Sequence, residues 1–323
     1  MEQVLMMQGA GRLMDVCARV REGEKVLIVT DFPKVSIAEV IAAAAKERGA
    51  DVVVTVMTPR ELDGAEPPEH VAAAMKAADV IFTPLTHSIT HSNATKEAIE
   101  AGARGIMLSA FIPEQLISGG IDGDFEGIEP LCRKVADLLA EANVAHLTTP
   151  GGTDITMSLK DRPGNAHTGL AHKPGDFTTV PNIESSVSPV EGSAEGVIVA
   201  DASIPYYNIG ILSEPVRYEV TDGRIVNITG GTQARQIADL MESVNHDAVY
   251  NIAQLAFGLN PKCKMQGVML EDEGVYGTAH IGIGTSTLLG GEIKAPGHYD
   301  ALMWRPTLTL DNKVVLKDGE WNV

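Results

Sequence analysis

The chain has 323 residues, 44% of them hydrophobic and only 4% aromatic, and 43 acidic against 25 basic side chains leave a formal net charge of −18. That surplus disfavours nucleic acid and anionic membranes as partners, because both present the same sign of charge. Cys17, Cys132 and Cys263 are too few and too scattered for a disulfide framework or a CxxC zinc site. No apolar run approaches the roughly 20 residues of a membrane span. The opening Met1-Glu2-Gln3 does not start a secretory signal. A cytoplasmic protein with no membrane partner is therefore expected, long enough for two domains each with its own core.

In chain order, Leu5 to Val20 carries apolar residues at helical spacing, and Lys25 to Asp31 reads as a buried strand. Ser36 opens a helix that Gly49 terminates, and Asp51 to Met57 is the next strand. A helix from about Pro68 to Ala77, a strand Val80 to Leu85, a helix Asn93 to Ala101 and a strand Gly105 to Leu108 continue the rhythm. Strands alternating with helices at this spacing predict a parallel sheet covered on both faces. Neither GxGxxG after the first strand nor GxxxxGK[ST] is present, so both common phosphate cradles are excluded.

Helix Ile128 to Ala142 closes this half, and the character of the sequence then changes. Short strands separated by Gly, Pro and Asp follow at 146–149, 154–159, 196–200, 216–220 and 224–228, with a helix over 237–243. A hairpin at 307–316 turns on Asp311-Asn312. The fold class expected is α/β, an N-terminal parallel-sheet domain over 1–143 followed by a sheet-rich α+β domain over 144–323 that carries a metal site.

Two segments hold the candidate chemistry. In Gly297-His298-Tyr299-Asp300, strand alternation points His298 and Asp300 to one side and Tyr299 to the other. Upstream, His280 sits among apolar and glycine residues in Ala279-His280-Ile281-Gly282 with no obvious polar partner. Two histidines and an aspartate form the ligand set of a facial triad, which leaves positions for substrate, water or oxygen. Taken singly, each histidine reads as an ordinary core or surface residue. In the first half, Thr86-His87-Ser88-Ile89-Thr90-His91-Ser92 follows the third strand, where open α/β sheets place ligands. Ser92 or Thr90 as a helix cap is the simpler reading, and His87 or His91 as a proton donor the functional one. The acids Glu271, Asp272 and Glu273 read as a solvated turn, with Asp272 or Glu273 as the alternative partner of a ligand histidine. Asp154 and Arg162 read as a turn and a surface residue, or as an ion pair shaping the pocket.

The motifs Gly151-Gly152-Thr153-Asp154, Pro189-Val190-Glu191-Gly192, Asn251-Ile252-Ala253, Leu270-Glu271-Asp272-Glu273, Gly277-Thr278-Ala279-His280 and His298-Tyr299-Asp300 resemble the thermophilic leucyl aminopeptidase (aminopeptidase T) family. The chain is also similar to the 2,5-dihydroxypyridine 5,6-dioxygenases, which hold Fe(II) and open a pyridine ring. The peptidase resemblance implies metal ligands at His280, His298, Asp300 and Glu184, with Glu184 a ligand or general base. Its second glutamate falls at Gln254 and its tyrosine at Thr287, so a mononuclear site is favoured over a dinuclear one. The dioxygenase pattern keeps the HxD pair, places its other histidine ligand at Gln254 and has no histidine at the position of His280.

The resemblance implies first a hydrolase that cleaves an amide of a small molecule or short peptide with water activated by Zn, Mn or Co. His87 or His91 would donate a proton to the leaving nitrogen. The alternatives are a mononuclear Fe(II) ring-cleaving dioxygenase of hydroxylated pyridines and a non-catalytic family member. A homodimer is implied as well.

Overall fold

The protein is described here from a computed structural model, in which residues 2–90, 92–287 and 289–323 are described. The chain divides into two compact units, the first made of Met1–Gly127 and His167–Asn182 and the second of Ile128–Ala166 and Ile183–Val323.

The first unit holds β1 (Lys25–Asp31), β2 (Asp51–Met57), β3 (Val80–Leu85) and β4 (Arg104–Ser109), all parallel, in the order β2, β1, β3, β4. Every residue of β3 and β4 is buried, which is why these runs are almost continuously apolar instead of alternating. Strand order reverses between β1 and β3, and at that point the buried Asp31 accepts hydrogen bonds from the Thr86 amide at 2.8 Å and hydroxyl at 3.1 Å. A short strand, Phe177–Thr179, adds to the free side of β4 in parallel.

The second unit contains two sheets. One is an antiparallel sheet of eight strands in the order Arg224–Gly230, Val216–Thr221, Glu195–Ala200, Asp154–Ser158, Val144–Thr148, Thr307–Leu310, Lys313–Lys317 and Glu320–Trp321. The hairpin near its end turns on Asp311 and Asn312 with φ of 45° and 72°, the left-handed pair that a tight two-residue turn needs. The other sheet runs His298–Trp304, Thr278–Gly284, Ile252–Gly258, Glu184–Val187, Gly164–His167. Its first four strands are antiparallel neighbours.

Alternation along these four strands separates core from chemistry. Val187, Leu255, Phe257, Ile281, Ile283, Ala301 and Met303 join one hydrophobic core with Leu147, Ile155, Ile198 and Tyr218 of the larger sheet. Each large side chain buried there contributes about 1.5–3 kcal/mol. The intervening positions, Glu184, Gln254, His280, Gly282, His298 and Asp300, then face the opposite side. Val135 and Leu139 anchor the long helix Phe125–Glu141 in the same core.

The division differs from the cut expected at 143/144. Most of the long helix belongs with the second unit because its apolar stripe is buried there, and the chain returns to the first unit over His167–Asn182 to add the strand beside β4. A three-residue strand in a loop-like stretch gives no period to read, so the return is invisible to pattern analysis.

Candidate functional site

The floor of the site is Gly282. A Cβ there would stand 2.6 Å from Cε1 and 2.7 Å from Nε2 of His298, and 2.7 Å from Cβ of Gln254. Glycine is therefore required by the close approach of its neighbours rather than by its backbone angles, since Gly282 is not among the residues with positive φ. Register places Asp300 and Gln254 on either side of it, one on each neighbouring strand.

Around His298 the polar atoms have unequal roles. Nδ1 lies 2.8 Å from the Thr285 carbonyl, which can only accept, so Nδ1 carries a proton. Nε2 lies 3.1 Å from Oε1 of Gln254 and 3.4 Å from Oδ1 of Asp300. The Gln254 amide nitrogen donates to Oε1 of Glu184 at 3.3 Å, which turns the amide oxygen toward His298. Oε2 of Glu184 stands 3.4 Å from Nε2 of His280. Glu184, Gln254, His280 and Asp300 are buried, and His298 is the member that keeps some solvent access.

Charge in this cluster is strongly coupled. Burial pushes His298 down, but the Asp300 carboxylate and the Thr285 carbonyl outweigh it and leave the imidazole above its ordinary pKa. His280 is raised for the same reason, with burial opposed by Glu184 and Asp300. Burial would raise Asp300, yet His298, His280 and the Tyr206 hydroxyl hold it well below the usual carboxylate range. Glu273 moves the other way: burial first, and then the charges of Asp300 and Glu184, push it well up.

Tyr206 links the last two acids. Its hydroxyl lies 2.8 Å from Oε1 of Glu273 and 2.8 Å from Oδ2 of Asp300. One hydroxyl proton serves one acceptor at a time, so the Tyr206 hydroxyl is shared between the two carboxyl groups. This occupies Oδ2 and leaves Oδ1, a buried atom without a hydrogen-bond partner, facing His298.

The acidic run that carries Glu273 corrects the expectation of a solvated turn. Glu271, Asp272 and Glu273 are all buried. Asp272 accepts from the amides of Gln266 and Gly267 and from the Ser203 hydroxyl, and Glu271 accepts from the Lys264 amide. Backbone donors replace water here, and Glu273 reaches Asp300 through Tyr206 instead of orienting a histidine.

The structure brings Glu184, His280, His298 and Asp300 into one contact series, with Gln254 at its centre. His87 belongs to the first unit, with Nδ1 3.6 Å from Asp63, and His91 lies outside the described residues. Thr287 is exposed and does not enter the cluster. Asp154 and Arg162 do not pair with each other: Asp154 contacts His146 at 2.8 Å, while Arg162 binds Glu191 and the Gly290 carbonyl. Two more side chains escaped sequence reading. Ser186 and Ser188 follow Glu184 on its strand at the spacing that shares its face, and both hydroxyls are fully buried without a partner.

A cation suits this cluster by donor chemistry. With Nδ1 protonated, the neutral ring of His298 presents a lone pair to two oxygen acceptors, and only an extra proton or a metal ion reconciles the three. Neighbouring ligands of an octahedral ion with bonds of roughly 2.1 Å lie roughly 3 Å apart, close to the spacings at His298. Among the described residues no three His, Cys, Asp or Glu side chains stand around a common point as metal ligands. The third atom beside His298 is an amide oxygen.

The sequence profile of the 2,5-dihydroxypyridine 5,6-dioxygenase (NicX) family matches residues 6–322. A 2,5-dihydroxypyridine 5,6-dioxygenase of Pseudomonas putida KT2440 is 27% identical over 259 residues, which cover 76% of this chain and 72% of that one. The solved structure of a 2,5-dihydroxypyridine dioxygenase from Pseudomonas putida KT2440 superposes with a TM-score of 0.82 at 22% identity, over 99% of this chain and 97% of that one. AmpT from Thermus thermophilus superposes with a TM-score of 0.71 at 16% identity over the full length of both chains, a likeness of fold alone. The profile match overturns the expectation of an amide hydrolase of the aminopeptidase T type. The motifs shared with that family belong to the common scaffold, and Gln254 and Thr287 stand where its metal ligands are expected. The chain is an enzyme that belongs to the 2,5-dihydroxypyridine 5,6-dioxygenase family.

Proposed function

We propose that this enzyme is a mononuclear Fe(II) dioxygenase that opens the ring of a hydroxylated pyridine. The observation that carries the reading is the family match over residues 6–322, joined to a buried cluster whose lone pairs converge at His298. His298 and Asp300 would hold the iron, which supplies a route for dioxygen, a ground-state triplet, to react with a singlet ring. In the reaction that the family name describes, both atoms of O₂ enter the product, the C5–C6 bond breaks, and the ring provides the electrons that O₂ accepts.

The protein's own groups would bind and orient the ring and manage its proton. Tyr206, held by Glu273, fixes one oxygen of Asp300 and so limits how that carboxylate can turn. The buried pair of Glu184 and His280 offers a place for the proton of a substrate hydroxyl. Ser186 and Ser188 offer two hydroxyls that can donate or accept, matching the oxygen and nitrogen substituents of such a ring. Tyr207, about half exposed with φ of 54°, sets its hydroxyl 3.2 Å from where a Cβ on Gly297 would stand. It supplies an aromatic face next to the His298 strand. The test is mass analysis of the product formed from 2,5-dihydroxypyridine under ¹⁸O₂ by protein loaded with Fe(II) without air. Two labelled oxygens in a ring-opened product support the reading, and unchanged substrate sinks it.

A further inference from the structure

We infer that the third protein ligand of the metal is the side-chain oxygen of Gln254, not His280, giving a centre of one imidazole, one carboxylate and one neutral amide. This deepens the dioxygenase reading and rests on it for the presence of a metal.

Three observations carry the assignment. Oε1 of Gln254 is 3.1 Å from Nε2 of His298, and that nitrogen is 3.4 Å from Oδ1 of Asp300. The two oxygens flank the ring nitrogen, at separations expected for neighbouring ligands of one small cation. The orientation of the amide is also fixed from behind, because its nitrogen donates to Glu184 at 3.3 Å and a carboxylate cannot take the place of that donor. Glu184 thus holds the oxygen of Gln254 forward, as outer hydrogen bonds hold metal ligands in known centres. Finally, Oδ1 of Asp300 is buried without a hydrogen-bond partner, although Oδ2 of the same group is held by Tyr206. An anionic oxygen with only the His298 ring nitrogen near it, and no hydrogen-bond donor in place, leaves room for a cation between the two.

His280 occupies a different place in the series. Its Nε2 lies 3.4 Å from Oε2 of Glu184, while the other oxygen of that carboxylate takes the Gln254 amide, so Gln254 and not His280 is the side chain in hydrogen-bond contact with His298. An amide carbonyl is a hard, uncharged donor, suited to Fe(II), Mn(II) or Mg(II) and weaker than imidazole for Zn(II) or Cu(II). With Asp300 as the sole anionic ligand, a divalent ion keeps a net positive charge. That charge favours an anionic substrate oxygen in an open position.

The test is metal binding without substrate or oxygen, so failure of the ring-cleavage reading leaves it intact. Co(II) affinity is measured by competition with a chromogenic chelator, and the ligand-field absorption of the Co(II) form is recorded. Gln254→Leu is expected to weaken Co(II) binding at least tenfold, and His280→Asn to change it less than threefold. Gln254→His is expected to restore binding with a shifted ligand-field spectrum, because a ring nitrogen replaces an oxygen. If Gln254→Leu does not fold, the spectrum of Gln254→His decides alone. The inference is overturned if Gln254→Leu binds as tightly as the parent, if His280→Asn causes the larger loss, if Gln254→His leaves the Co(II) spectrum unchanged, or if the parent chain takes up no Co(II).

Discussion

Replacing Gly282 by alanine probes the floor on which the site rests. The backbone there accepts any residue, so the effect comes from one methyl group placed 2.6 Å from the His298 ring. Ordinary contact begins near 3.4 Å, so the imidazole must move by about 0.8 Å or the two strands must part. Neither is easy, because Nδ1 is tied to Thr285 and Gln254 lies equally close on the other side at 2.7 Å. Overpacking of this kind costs about 1–3 kcal/mol, and at about 2–4 °C per kcal/mol the melting temperature should fall by roughly 2–12 °C. A displacement near 1 Å in a functional group costs about 100-fold in function, so a comparable loss in metal affinity is expected. Thermal melts of the metal-free protein and chelator competition for Fe(II) or Co(II) measure the two effects separately. Parental stability with parental affinity would show that His298 does not lie over Gly282, and the site geometry would be wrong.

Tyr206→Phe removes the donor to Oδ2 of Asp300 and leaves two buried acids facing each other. A loss of about 1–3 kcal/mol in stability is expected in thermal unfolding, together with weaker metal binding. Unchanged values for both would remove Tyr206 from the site's support. Ser188→Ala should leave the melting temperature unchanged or raise it, since the hydroxyl it removes is buried and unpaired, while KM for a hydroxypyridine rises. A clear drop in stability with KM unaltered would make the serine structural. In the first unit, Arg104 is buried and holds both oxygens of Glu24 at 3.0 and 2.8 Å, and Glu24→Gln should cost about 3 kcal/mol because it strands the guanidinium. Burial raises the Glu24 carboxyl, but Arg104 and the Arg21 amide outweigh it and hold the group below its ordinary value of 4.5. The pair's contribution is therefore full above pH 4.5 and fades as acid takes the pH down through the folded pKa. Glu24→Gln should flatten the stability profile in that acid range, and an unchanged profile would contradict the pairing.

Much of this molecule could be read from residues alone, where a single physical rule dominates. Buried parallel strands announce β1, β3 and β4 by apolar runs between helical stretches, the exposed edge strand β2 is announced by its valines, and Asp311-Asn312 announces a two-residue turn by its tolerance of positive φ. Strand alternation puts His298 and Asp300 on one side and Tyr299 on the other, and that other side is the core, where the Tyr299 hydroxyl meets Met241. What escaped depends on distant partners. Three successive acids look solvated until their backbone donors from residues 264–267 are known. Tyr206 lies among loop residues and acquires meaning only through Asp300, many residues later in the chain. Gln254 was legible as a departure from two family patterns, but whether its oxygen or its nitrogen faces His298 is decided by Glu184 on the next strand. Alternation also holds the signal for Ser186 and Ser188, which share the face of Glu184, but it cannot tell an unpaired hydroxyl from a satisfied one.

The central claim is tested most directly by oxygen uptake. Protein reconstituted with Fe(II) in the absence of air is mixed with 2,5-dihydroxypyridine in air-saturated buffer, and consumed O₂ is compared with consumed substrate. The account predicts one O₂ per ring opened, lost on replacing Fe(II) by Zn(II) and lost in His298→Ala. Iron-loaded protein that consumes no oxygen with this or any other hydroxypyridine would contradict it.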